Sequence, residues 1–116
     1  MANFSVNTTV KDGVQIFEFT GYFEKTAGEQ VEKLVEQFLS EGFRDFIFDF
    51  SACPLINSPG IGHIIVVSIN ICDENEGNLY LTGLDTLKET VFRLSNVFPP
   101  ALTAKTVEQA MERLKA

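Results

Sequence analysis

An apolar strand gives way in this chain, through a short loop, to a proline-marked helix start. Phe46 to Phe50 reads as the strand, the loop begins at Ser51, and Ser58-Pro59 opens the helix. Proline is favoured at the first helical position because its missing N–H would have had no partner there. Ser58 therefore reads as the N-cap, its hydroxyl beside the unpaired amides of the first turn. Free N–H groups and the positive end of the helix dipole make such a point hospitable to a phosphate. A serine there serves either as a plain cap or as the site of a covalent switch.

The segments on either side extend this strand-to-helix step into a pattern. Phe4 to Thr9 and Val14 to Thr20 read as strands joined at Lys11-Asp12-Gly13, and Asp-Gly is a strong hairpin cue. Lys25 to Ser40 is the clearest helix, with Ala27, Val31, Leu34, Val35 and Phe38 at helical spacing and Glu29, Glu32, Lys33, Glu36 and Gln37 on the outer face. Gly42 ends it. Arg44 to Phe50 is apolar on both faces, as inside a parallel sheet. Ser58 to Asp73 is rich in β-branched residues, yet its Ser-Pro entry, its length and the spacing of Ile61, Ile64, Ile65, Ser68, Ile71 and Cys72 predict a helix.

Beyond the Asn75-Glu76-Gly77-Asn78 turn, Leu79 to Thr82 is a short buried strand. Asp85 to Leu94 is a helix with Leu87, Val91 and Leu94 expected inward. Pro99-Pro100 interrupts the chain, Ala101 to Thr103 suits a short edge strand, and Thr106 caps a last helix that turns Val107, Ala110, Met111 and Leu114 inward. The order β-β-α-β-α-β-α-β-α predicts an α/β fold. An N-terminal hairpin is followed by parallel β/α units with right-handed crossovers, on a mixed sheet of four to five strands with about four helices. With 116 residues, no internal repeat and no dividing linker, the expectation is one domain over 1–116.

Composition narrows the partners. A net charge of -7 and the absence of basic clusters argue against nucleic acid and anionic membrane as targets. No segment has the length and apolarity of a membrane span, and the N-terminus lacks the basic and apolar blocks of a secretory signal, so a cytoplasmic location is expected. Cys53 and Cys72 have neither metal-ligand nor dithiol spacing and read as buried free thiols. The eleven Phe leave homodimer formation through an aromatic patch open.

Chemistry at the serine has few helpers. A hydrolase nucleophile elbow needs glycine two residues before and two after the serine; Gly60 fits, but the other position is Ile56. His63, the single histidine, lies five residues further along the same helix and points away from Ser58, which is poor geometry for a triad. No catalytic residue, metal ligand or cofactor is assigned. Gly60-Ile61-Gly62 lacks the lysine and spacing of a phosphate loop and reads as a place where backbones pack closely. Glu24, near the end of the second strand, reads as a solvated charge.

The run Asp49-Phe50-Ser51 through Asn57-Ser58-Pro59-Gly60-Ile61-Gly62 resembles the signature of STAS domains, the family of bacterial anti-sigma factor antagonists. In that signature Asp-Ser-Ser/Thr-Gly-Leu-Gly opens a helix. Thr20-Gly21-Tyr22-Phe23-Glu24 is similar to the turn after the family's second strand, Asn78 to Thr82 to its later strand, and Thr106 to Ala110 to the start of its last helix. The resemblance implies a protein–protein switch. Its partner would be an anti-sigma factor of the serine-kinase type, which the unmodified domain binds and which phosphorylates the signature serine, here Ser58, to release it. Glu24, Asn57, Ser58, Pro59, Gly60 and His63 are the implied contact residues. Asn57 stands where the family has Asp, Pro59 follows the serine, and Glu24 replaces an Asp. The alternative is a STAS module that binds constitutively within a signalling or lipid-transport assembly.

Overall fold

In this computed structural model, residues 3–115 are described. They form β1 (Ser5–Lys11), β2 (Val14–Phe23), α1 (Lys25–Ser40), β3 (Asp45–Ile56), α2 (Ser58–Ser68), β4 (Asn78–Thr82), α3 (Thr86–Leu94), β5 (Leu102–Thr103) and α4 (Val107–Lys115). The sheet order is β1-β2-β3-β4-β5. The β1–β2 hairpin is antiparallel, closing on Asp12 and Gly13 with φ of 51° and 79°, as a tight two-residue turn requires. The remaining neighbours pair in parallel. The fold is thus the expected α/β architecture, a five-stranded mixed sheet with four helices among the described residues.

Alternation along the strands supplies both faces. Phe17, Phe19, Phe46, Phe48, Phe50, Leu79 and Leu81 meet α1, α2 and Phe92 of α3 on one face. Val14, Ile16, Ile47 and Tyr80 meet Ala110 and Met111 of α4 on the other. Placing three crossover helices on one face follows when successive parallel strands are added in one direction with one crossover hand. All eleven Phe lie in or pack against the first core. Edge-to-face contacts such as Phe19–Phe50 at 4.9 Å and Phe19–Phe23 at 5.1 Å knit the sheet to the α1 entry. Fully burying one such ring is worth about 1.5–3 kcal/mol. Seven of the rings are buried, and Phe4, Phe38, Phe43 and Phe98 are half-buried against them.

Three expectations are corrected. First, the loop expected after Phe50 is strand: β3 runs on to Ile56, pairing Ala52, Leu55 and Ile56 with Thr20, Tyr22 and Phe23 across two bulges. Pro54 is compatible with this because β4 stops pairing at Asp49, so the far side of β3 is an edge there. Second, the helix expected over Ser58–Asp73 is α-helical only to Ser68 and continues as a π-helical turn over Ile69–Glu74. The buried Ser68 hydroxyl donates to the carbonyls of Ile64 and Ile65 at 2.9 and 3.0 Å, competition of a kind that bends helices. Third, α3 is rotated from its expected setting. Phe92 and Lys88 face inward, while Leu87 and Leu94 are 72% and 79% exposed. The Phe92 ring, 5.5 Å from Phe50 and 6.3 Å from Phe98, sets the rotation. Lys88 buries its stem while its Nζ meets Asp85 Oδ2 at 2.8 Å.

Candidate functional site

The site is a corner where two parallel strands end and two helices begin. Phe23 of β2 pairs with Ile56 of β3, so Glu24 and Asn57, the next residue of each, stand side by side. The Asn57 N–H donates to the Phe23 carbonyl at 3.1 Å and holds the two ends together. Glu24 is the N-cap of α1, without a side-chain capping bond, and its carboxylate is placed at the positive end of that helix. The carboxyl ends of parallel strands are the usual functional edge of α/β sheets.

Asn57, not Ser58, is the N-cap of α2. Its backbone is extended, and its Oδ1 accepts from the Gly60 N–H at 2.9 Å. Asparagine is among the strongest capping residues, so it takes the role expected of the serine. Ser58 becomes the first helical residue, exposed to solvent, and its hydroxyl stands outside the capping bond. Pro59 moves to the second position. The expectation of a row of free amides is corrected with it. The Gly60 N–H is used by Asn57 Oδ1, the Ile61 N–H by the Asn57 carbonyl at 2.9 Å, and Pro59 has none. What the corner retains for an added anion is the helix dipole and the Ser58 N–H.

Gly60 is buried against β2. A Cβ there would lie 2.5 Å from the Phe23 carbonyl oxygen and 2.9 Å from the Phe23 ring. Gly62, by contrast, has open space at the same position. Close packing thus accounts for one glycine of the Gly60-Ile61-Gly62 run and not for the other.

His63 is only partly exposed. Its Nδ1 is paired with Glu32 Oε2 of α1, and its ring packs over Gly28, leaving no room for a Cβ there. It ties α1 to α2 and is turned away from Ser58, so serine and imidazole do not form a nucleophile–base pair. Burial pushes the Cys53 thiol up from its ordinary value, opposed in part by the nearby Lys88 cation. This thiol lies on β3, upstream of the corner. Among the described residues no three His, Cys, Asp or Glu groups converge as metal ligands, and no helix is long and apolar enough to cross a membrane.

Sequence reasoning missed the continuation of β3 and with it Leu55, 60% exposed beside the corner. It also missed the Glu32 tie to His63. Pro54 hid the first, and no local pattern signals the second.

Residues 5–110 match the family model described as STAS domain. No curated protein sequence matches the chain. Among solved structures, a protein described as an anti-sigma factor antagonist from Thermotoga maritima is similar over 96% of this chain and 95% of its own, with 21% identity and a TM-score of 0.82. SpoIIAA, an anti-sigma factor antagonist, in its unphosphorylated form is similar over 98% and 99%, with 19% identity and a TM-score of 0.76. The Bacillus cell-fate determinant SpoIIAA in its phosphorylated form is similar over 97% and 99%, with 20% identity and a TM-score of 0.73. At these identities the structural likeness speaks for the fold.

Proposed function

The chain belongs to the STAS domain family, and from that premise we propose that it is an anti-sigma factor antagonist-like switch whose partner choice is set by phosphorylation of Ser58. The observation that carries this reading is the exposed hydroxyl of Ser58 on the first turn of α2, freed from capping by Asn57. In the unmodified state the corner of Glu24, Asn57, Ser58 and Pro59 meets a kinase-type anti-sigma factor, with the exposed edge of His63 beside it. The γ-phosphoryl group of ATP passes to Ser58 Oγ, ADP leaves, and the hydroxyl proton goes to a base of the kinase. The STAS chain supplies the acceptor and no catalytic group.

The consequence follows from electrostatics. A phosphoryl group adds roughly -1.5 to -2 charges next to the Glu24 carboxylate. The Gly60 and Ile61 amides are already used, so the helix end offers the group only the Ser58 N–H and the dipole, and most of its charge faces the partner. Losing about 3 kcal/mol of interface energy weakens binding on the order of a hundredfold. The fold survives, because the helix dipole favours the charge. Support for the reading also comes from the likeness to SpoIIAA, which is known in unphosphorylated and phosphorylated forms.

The test is incubation with ATP and the GHKL-type kinase encoded nearest this gene. One phosphate at Ser58 by mass spectrometry is expected, together with a Ser58→Ala protein that stays bound. No mass shift with that kinase would count against the switch. Asn57 and Pro59 favour a second reading, a constitutive interaction module. Asn57 removes the carboxylate usual before the serine, and Pro59 stiffens the loop that a kinase must admit. On that reading Ser58→Asp leaves partner binding unchanged.

A further inference from the structure

Among the described residues nothing covers the outer surface of α2 at Val66 and Ile69. Val66 is 52% exposed and Ile69, at the start of the π-helical turn, is 40% exposed. Both lie on the stripe that faces away from the buried Ile64, Val67 and Ile71. Beside this stripe runs a groove of about 170 Å³ between α1 and α2, lined by Glu32, Glu36, Val66, Val67, Asn70 and Glu74. It continues onto α1 past Glu29, Glu32, Lys33 and Glu36. The residues lining the two recesses thus include four glutamates and one lysine. Asn70 closes its end through its own hydrogen bond with Asn75 at 2.9 Å.

We propose that this exposed strip of α2, with its glutamate-lined flank, seats a basic amphipathic helix of a partner protein. The apolar rows of such a helix would cover Val66 and Ile69, and its Lys and Arg would face Glu36 and Glu74, a helix-in-groove mode of recognition. Charge selects this occupant. A second copy of the chain would set glutamate against glutamate on a molecule already at -7, and like charges across an interface oppose docking. Nucleic acid and anionic lipid carry the same wrong sign. The seat needs no modification of Ser58 and goes beyond the switch described above, since it requires only that a partner present apolar and basic residues on one helix.

The experiment uses the full chain and two fluorescein-labelled peptides of identical Lys/Leu composition, one patterned as an amphipathic helix and one reordered so that the leucines are dispersed. Fluorescence anisotropy is expected to show salt-sensitive binding of the patterned peptide and at least tenfold weaker binding of the reordered one. Val66→Asn and the pair Glu36→Gln, Glu74→Gln should each weaken the patterned peptide roughly tenfold. Glu112→Gln, an exposed charge on α4, should not. Circular dichroism of each variant checks that the fold is retained, and amide NMR shifts on peptide addition should map to Glu29–Glu36 and Val66–Glu74. Equal binding of both peptides, or insensitivity to the Val66 and glutamate changes, would overturn the proposal. So would self-association abolished by Val66→Asn, which would assign the strip to a second copy instead.

Discussion

Two glycines two residues apart should respond to alanine with opposite signs. At Gly60 the added methyl would sit 2.5 Å from the Phe23 carbonyl oxygen, 2.9 Å from its Cδ1 and 3.1 Å from its carbonyl carbon. None of these can retreat easily. The carbonyl accepts from Asn57 N–H at 3.1 Å, and the ring is fully buried, 5.1 Å from Phe19 and 5.4 Å from Phe4. Overpacking of this kind costs about 1–3 kcal/mol, and loosening the Asn57–Phe23 hydrogen bond adds up to about 1 kcal/mol. Against it stands a helix-propensity gain of at most about 1 kcal/mol, smaller so near the helix start. Gly60→Ala should therefore destabilise by about 1–3 kcal/mol. At Gly62 the methyl enters open space, only the propensity gain remains, and Gly62→Ala should stabilise by about 0.5–1 kcal/mol. For a chain of this length 1 kcal/mol is roughly 4 °C in Tm. Urea unfolding followed by far-UV circular dichroism suits a protein with no tryptophan, with m-values checked for constancy. If Gly60→Ala proves as stable as the parent, or if both variants move the same way, the packing argument fails.

Other substitutions test the remaining physical claims. Asn57→Ala should cost about 1 kcal/mol by removing the α2 cap, whereas Asn57→Asp should keep it, read by the same urea unfolding. Lys88 holds the Asp85 carboxyl below its ordinary 3.8 through a side-chain hydrogen bond. The sign of a depressed carboxyl pKa means stability that is full above 3.8 and lost as pH falls through the lower folded value; Asp85→Asn should flatten that acid limb in a pH series of urea midpoints. Burial pushes the Cys72 thiol from 9.0 up to about 11. Its contribution is full below 9 and fades as pH rises towards 11, so Cys72→Ala should reduce the alkaline loss of stability over that interval.

Local patterns carried the fold because each strand and helix declares its period. The bounds of α1 from Lys25 to Ser40, the Asp12-Gly13 turn and the Thr106 cap, whose Oγ1 accepts from Gln109 N–H at 3.1 Å, are all short-range effects that act within a few residues. The failures are equally specific. Leu87, Val91 and Leu94 share a helical stripe as good as the one that wins, and only the place of Phe92 against Phe50 decides between them. Pro54 reads as a break unless one knows that β4 ends its pairing at Asp49.

The order of elements, the parallel sheet behind an N-terminal hairpin, and a serine at the start of α2 are legible in the chain alone, since these depend on periodicity and on turn and cap chemistry. Tertiary structure alone decided that Asn57 caps while Ser58 stands free. It also decided that His63 is held by Glu32 and that one glycine of the pair is indispensable to packing while the other is not. Those outcomes turn on which atoms from distant strands and helices arrive within a few ångströms of each other, and no spacing along one segment encodes that distance.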